Sequence, residues 1–346
     1  MASKIASDPR IDPRIKLMFG AMNLTEGAGG DVKSREEMLA IENSEAGKAR
    51  AAGFKAMLEM LDSEVVAPSK GLRVMTEKFG SEPDGNVINI RITRPDNDER
   101  LPCVYYIHGG GMMMGSCFDG NYRAWARLIA AHGVVVAAVD FRNALSPSSA
   151  PEVAPFPAGL NDCVSGIKWL NAKAAMLNID ASRIVVSGES GGGNLTLATG
   201  LKLKRDGDIA LIKGLYALCP YIAGQWPTPE NPSSTENNGI LLDLHNNRGA
   251  MSYGIDEFKK RNPLAWPGFA GADDVKGLPP TIISVNECDP LRDEGINFYR
   301  LLLANGVAAR CRQVMRTIHG TEVFITACPE ISRDGAADMA RFAKEG

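Results

Sequence analysis

Long apolar runs are missing from this 346-residue chain. None approaches the roughly 18 residues that a membrane-crossing helix needs, so no span is expected. A one-sided charge is missing too: 38 Lys and Arg face 41 Asp and Glu, for a net charge of −3. Nucleic acid and membrane surfaces are therefore not expected as partners. The seven cysteines form no CxxC pair, keep no regular spacing and are odd in number. That argues against a disulfide frame or a zinc site and for reduced thiols in a cytoplasmic protein. Cys163, Cys219 and Cys311 lie in mixed apolar segments, where packing is the expected use. The opening stretch MASKIASDPRIDPRIKLMFG carries charges throughout and does not read as a signal peptide. Histidine is scarce, with four residues, which shortens the search for an imidazole that does chemistry. Internal repeats and low-complexity tracts are absent.

What is present is a composition 45% hydrophobic and 23% charged, ordinary for a globular protein with a large core. At roughly 150 residues per domain the length suggests about two domains, although α/β domains often run longer. Residues 1–30 read as irregular, with Pro9, Pro13 and a GAGG turn at 27–30. Residues 34–62, SREEMLAIENSEAGKARAAGFKAMLEMLD, read as one or two helices. LRVMTEKF (72–79) and VINIRIT (87–93) read as two strands joined by the SEPDGN turn. From residue 101 strands and helices alternate. Strands are expected in CVYYIHG, VVVAAVDFR, RIVVSG, IKGLYALCP, PTIISVNE and ARCRQVM. Helices are expected between them, and PEISRDGAADMARFAKE closes the chain as another. Near-continuous apolar strands separated by helices imply a mostly parallel sheet covered on both faces. Residues 221–272 break the rhythm with YIAGQWPTPENPSSTENNG, rich in Pro, Asn and Ser. So long a departure inside a compact domain is expected to be a lid or binding segment.

The stretch RIVVSGESGGGNLTLATG (183–200) ends a strand in a serine among glycines and turns at once into a helix. GESGG fits G-x-S-x-G with Gly188, Ser190 and Gly192, and it stands between strand and helix as a nucleophile elbow requires. A turn this tight strains the serine, and glycines at the flanks remove the clashes. Its hydroxyl is lifted above the carboxyl ends of the strands, where open α/β sheets bind ligands. The helix start behind it adds a partial positive field. A phosphate-binding loop fits less well, because no lysine follows until Lys202 and no G-x-G-x-x-G is present.

A serine hydroxyl needs a base, and the base needs an orienting acid. His132 ends a helix, His245 lies in the irregular insertion, and His108 precedes three glycines. His319, in MRTIHGTEVF, follows the last strand and is the candidate base by elimination and chain order. Asp289, in SVNECDPLRDEG, is the candidate acid, with Glu287 as fallback. Asp followed by Pro is also a good helix start, so a capping role stays open beside the catalytic one. Asp293 and Glu294 are expected as support or solvated face. Backbone N–H groups suit a developing oxyanion because they are fixed before reaction, and losing one costs about 3 kcal/mol. IHGGGMMMG (107–115) supplies Gly109, Gly110 and Gly111 after a buried strand. The sequence does not decide which of them donate; Gly110 and Gly111 are the preferred pair, with Gly109 in reserve. Gly191, directly after the serine, is the third donor.

HGGG (108–111), GESGGGN (188–194), DPLRDEG (289–295) and HG (319–320), with PFPAGLNDC (155–163), resemble the hormone-sensitive-lipase-type esterases of the α/β-hydrolase superfamily. VDFRNA, PLAWP and VNECDPLRDEG look most like the brefeldin A esterase branch. The resemblance spans about residues 70–330 and implies the α/β-hydrolase fold: a mostly parallel eight-stranded sheet flanked by helices, with a helical cap. It implies Ser190 as nucleophile, His319 as base and Asp289 as acid, and no metal or organic cofactor. It places the cap in residues 1–65 and 221–272, leaving 66–220 and 273–346 as the catalytic domain. Relatives commonly read GDSAGG where this chain has Glu189 and Gly191; the donor at 191 survives, and Glu189 is expected to brace the loop or tune the serine's surroundings. The usual YRLAPE is a longer FRNALSPSSAPE here, with no derivable effect for the 144–155 loop.

The expected activity is hydrolysis of a small ester through an acyl-enzyme. Met112, Met113 and Met114 are candidates for an acyl pocket or ordinary core, and Trp226, Phe258, Trp266 and Phe269 for the alcohol-side wall. Amide hydrolysis by the same groups is the rival chemistry, and a non-catalytic receptor on the same scaffold is the rival outside enzymes. A homodimer through the edge of ARCRQVM is the expected assembly route.

Overall fold

Alternation along single strands explains how the layers form. In LPCVYYI every residue is buried, and successive side chains point to opposite faces of the sheet. Cys103, Tyr105 and Ile107 therefore join one core, and Val104 and Tyr106 join the other. Each fully buried aliphatic side chain contributes about 1.5–3 kcal/mol, so both faces must be covered by helices. The structure, a computed structural model, describes residues 3–21 and 29–345.

One eight-stranded sheet runs through the described residues: β1 (Leu72–Ser81), β2 (Asn86–Pro95), β3 (Leu101–Ile107), β4 (Val135–Val139), β5 (Ile179–Glu189), β6 (Gly214–Leu218), β7 (Thr281–Cys288) and β8 (Ala309–Ile318). Its order is β1-β2-β4-β3-β5-β6-β7-β8. The expected hairpin is there, with Leu72 opposite Pro95, and β2 also runs antiparallel to β4. All pairings from β4 to β8 are parallel.

Residues 3–21, read from sequence as irregular, contain two short helices, α1 (Lys4–Ser7) and α2 (Pro13–Phe19). The side chains of Ser3 and Asp12 cap them, and Pro13 takes the first position of α2, an Asp-Pro helix start that the irregular reading passed over. The GAGG turn lies partly outside the described residues. The 34–62 stretch forms two helices, α3 (Arg35–Asn43) and α4 (Glu45–Met60), split at Ser44, which ends one and caps the next. The layer helices α5 (Gly120–Ala130), α6 (Ala158–Lys173) and α7 (Gly191–Asp206) follow at the expected places. The insertion holds only short pieces: α8 (Ser233–Glu236), α9 (Arg248–Tyr253), α10 (Ile255–Lys259) and α11 (Ala272–Val275). Then come α12 (Arg292–Ala304) and α13 (Pro329–Glu345). Apolar residues of α6, α7 and α12 cover one face of the sheet, and those of α5 and α13 the other.

The N-terminal helices sit against the ends of the last strands. Ile5, Ile11, Ile15 and Phe19 pack with Cys288, Ile318 and Phe324, and with Ile240 of the insertion. A smaller cluster joins Val32 and Met38 to Leu145, with Met113 and Met251 against it. Residues before β1 and residues of the insertion thus meet over the loops that leave the sheet.

Candidate active site

Ser190 closes the turn between β5 and α7 with φ 59 and ψ −117, a left-handed backbone that strains any residue with a side chain. Three backbone bonds hold it there. Its N–H donates to Leu218 O at 3.0 Å, and its carbonyl accepts from Tyr221 N at 3.1 Å and from Asn194 N at 3.0 Å. A Cβ on Gly192 would lie 2.0 Å from Ile107 O, so only glycine lets the turn lie against the end of β3. The first turn of α7 points its unpaired N–H groups toward the serine.

His319 and Asp289 come from the ends of β8 and β7, adjacent parallel strands. His319 Nδ1–H donates to Asp289 Oδ2 at 2.8 Å, and both residues are buried. Asp289 also does what the Asp-Pro reading anticipated: its Oδ1 accepts from Leu291 N at 2.9 Å and fixes the turn into α12. The histidine loop is held from below. Asn286 Oδ1 accepts from Gly320 N at 3.2 Å, and Asn286 Nδ2 donates to Thr317 and Glu322. Burial pulls the His319 imidazole down, but the Asp289 carboxylate outweighs it and holds the group well above the usual histidine value.

The other side of the imidazole faces the serine turn. His319 Nε2 lies 4.0 Å from Glu189 Oε1, the side chain next to the serine. Glu189 braces the glycine loop through a relay: Gly109 N–H donates to Tyr122 Oη, and Tyr122 O–H donates to Glu189 Oε2, each at 2.8 Å. Burial pushes the Glu189 carboxyl up, against the pull of His319 and the Tyr122 bond. The Gly109 amide is therefore already donated, which removes it from the candidate oxyanion donors. Gly110 and Gly111 adopt left-handed φ values of 100 and 64. A Cβ on Gly191 would sit 2.7 Å from Gly111 N and 2.5 Å from Met112 N, so the two glycine segments touch there.

His108 is fully buried, stacks on Phe141 at 4.3 Å between ring centroids, and donates from Nδ1 to Gly109 O. Burial lowers its basicity, so it stands as a neutral wedge under the glycine loop. The 144–155 loop, opaque in the sequence, props that loop from the other side: Ala144 N and Leu145 N donate to Met112 O and Met113 O. Asp140 anchors both, accepting from Cys117 N and Ser149 N. Glu287 is turned away and accepts from Arg316 N. His132 and His245 are exposed and apart from these residues.

The structure sorts the remaining sequence candidates, and the aromatic wall expected of the insertion needs correction. Met112 is core, 1% exposed, while Met113 and Met114 are half-buried. Trp226 and Trp266 do not wall a substrate space; they pack around Tyr221 in the main core. Phe258 and Phe269 line a cavity of about 630 Å³ with Arg261, Gln225 and Phe298, and none of Ser190, Asp289, His319 or the glycine loop borders it. Cys219, assigned to packing, is buried but lies beside the imidazole: its sulfur, an oxygen of Glu189 and a nitrogen of His319 are all within 4.8 Å of one another. Burial pushes its thiol up to about 12. Its place at the end of β6, next to the strand that carries Ser190, was the signal available in the sequence.

A family model described as alpha/beta hydrolase fold matches residues 104–323. Carboxylesterase NlhH of Mycobacterium tuberculosis is 30% identical over 350 residues, 99% of this chain and 99% of that protein. The solved structure of esterase Est22 superposes with a TM-score of 0.98 at 65% identity, covering all of both chains. Brefeldin A esterase, a bacterial homologue of human hormone sensitive lipase, superposes with a TM-score of 0.87 at 34% identity, over 98% of this chain and 94% of that one.

Proposed function

The chain belongs to the α/β-hydrolase fold family, among its hormone-sensitive-lipase-type esterases, and from that footing we propose that it is a serine carboxylesterase acting on short-to-medium acyl esters. One observation carries the proposal: a buried imidazole held at Nδ1 by Asp289 at 2.8 Å, with its opposite nitrogen turned to the residues around a strained Ser190. Ser190 Oγ attacks the ester carbonyl carbon. His319 Nε2 takes the hydroxyl proton and passes it to the leaving alcohol. Asp289 keeps the proton on Nδ1 and stabilises the imidazolium while it exists. The N–H groups of Gly110, Gly111 and Gly191 hold the oxyanion, and water repeats the cycle on the acyl-serine.

In this reading the helices before β1 and the 221–272 insertion form the cap, since both pack over the same loops. Association of two copies along β8, an open edge of the sheet, and a cytoplasmic location for a chain with seven free thiols complete the proposal. No helix among the described residues is long and apolar enough to cross a membrane.

The test is hydrolysis of p-nitrophenyl butyrate by wild type and Ser190→Ala. Loss of roughly a millionfold in kcat is expected, the scale seen when a serine nucleophile is deleted. Turnover retained by Ser190→Ala would overturn the assignment. A matched anilide should be hydrolysed with lower kcat/KM than the ester; the reverse order would make the chain an amidase.

A further inference from the structure

We propose that Glu189, Cys219 and His319 form a binding site for a zinc-like divalent cation, and that the bound ion switches the enzyme off. The three side chains offer one oxygen, one sulfur and one nitrogen, mutually within 4.8 Å, and all are buried. This donor set suits zinc, which takes Cys, His and carboxylate ligands in a tetrahedron. With bonds of about 2.0–2.3 Å, such an ion needs its ligand atoms roughly 3.5 Å apart. His319 Nε2 and Glu189 Oε1 already stand at 4.0 Å, so small side-chain rotations close the shell.

The outer shell is also in place. A metal-bound histidine usually donates its other ring N–H to a carboxylate, which orients it and raises its basicity. His319 does this to Asp289. A ligating carboxylate is usually hydrogen-bonded through its free oxygen, and Glu189 Oε2 accepts from Tyr122. Charge balances as well: a thiolate and a carboxylate neutralise a divalent ion, which offsets the cost of burying it. On binding, the ion takes the thiol sulfur and releases its proton to water. The fourth tetrahedral position stays open to water.

Binding does not depend on the catalytic roles proposed above; inhibition does, because a metal on His319 Nε2 occupies the lone pair that would accept the serine proton. The experiment therefore has two arms. In the first, Zn²⁺ is titrated calorimetrically into Ser190→Ala, which keeps all three ligands, and into the same protein carrying Cys219→Ser. Tight binding is expected in the first and at least about tenfold weaker binding in the second, the loss that even an outer-shell change produces. Co²⁺ should give a thiolate charge-transfer band that Cys219→Ser lacks. In the second arm, Zn²⁺ should inhibit wild-type hydrolysis of p-nitrophenyl butyrate, EDTA should restore it, and Mg²⁺ should have no effect, being a hard ion that prefers oxygen ligands. Cys219→Ser, normalised to its own metal-free rate, should need at least about tenfold more Zn²⁺. Glu189→Gln, which keeps the Tyr122 bond, should weaken binding in the same direction. Zinc affinity unchanged by both substitutions, or no zinc binding at all, would overturn the site. Tight binding without inhibition would leave the site standing and overturn the role of His319 as base.

Discussion

Two buried carboxylates, five residues apart in sequence, divide the rim of the sheet into two regions. Asp289 and Glu294 flank the start of α12, and both are nearly inaccessible. Asp289 faces an imidazole, a group that can take up a proton. Glu294 faces only fixed donors: Ile222 N at 2.6 Å, Ala223 N at 3.1 Å and Trp226 Nε1 at 2.6 Å. The first arrangement can cycle charge, and the second can only hold a segment in place. The same residue chemistry thus serves reaction on one side and attachment of the insertion on the other, and the partner decides which.

The largest effect is expected from Asp289→Asn. It should lower kcat by about 10⁴-fold, as losing the triad carboxylate does by favouring the wrong tautomer. The pH profile separates this from simple misfolding. His319 is raised, so in wild type its base form gains population only above the ordinary histidine value, and kcat/KM should rise with pH through an inflection above 6.5. Without the carboxylate, burial is opposed only by Cys219 and the neighbouring Glu189, and the inflection should move to lower pH. An unmoved inflection would remove Asp289 from the mechanism.

Next in size is Gly191→Ala. The new methyl group would fall 2.5 Å from Met112 N and 2.7 Å from Gly111 N, so the glycine loop must retreat. The donor at 191 survives, but displacing the Gly111 donor predicts a fall of about 10²–10³ in kcat, with a lower Tm because buried backbone must give way. Equal activity would mean that the loop has room to spare and the donors lie elsewhere.

Glu294→Gln should act oppositely, on stability and not on turnover. The amide puts N–H groups against N–H donors, which costs about 1–3 kcal/mol in a urea titration. Burial pushes Glu294 up to about 8, despite its three donors. A carboxyl raised in the fold contributes stability that is fully present below about pH 4.5 and lost as pH rises to about 8. The difference between wild type and Glu294→Gln should therefore shrink as pH rises through that window. The smallest effect belongs to Phe258→Ala: it enlarges the cavity beside Arg261 and should leave kcat/KM for p-nitrophenyl butyrate unchanged. A large drop would bring that cavity into the substrate path.

Most of the sheet was legible because its signals are local. The change from helical to alternating pattern at residue 72, the hairpin turn and the apolar strands from 101 onward all survive in the structure. Ser190, Asp289 and His319 stood out as candidates because each stands in its own short motif at a strand end, and the structure places Asp289 against His319. What could not be read depends on contacts between distant segments. Tyr122 joins Gly109 to Glu189 only because α5 packs against the sheet. Cys219 meets His319 only because β6 lies between β5 and β7. The insertion misled for a related reason: its tryptophans resemble exposed binding residues in sequence, yet Trp226 and Trp266 are drawn inward around Tyr221.

The bonds on either side of Ser190 have an evolutionary consequence. Leu218 O and Tyr221 N grip the serine's own peptide groups, so the exit of β6 is zipped to the elbow before the insertion begins. Past Ile222 that direct grip on Ser190 ends, and only point anchors remain, such as Asn237 Nδ2 donating to Asp289 O and Asn194 Nδ2 donating to Ala265 O. A natural splice point lies there. The residues between those anchors can change in length and reshape the substrate entrance while the proposed nucleophile stays where it was.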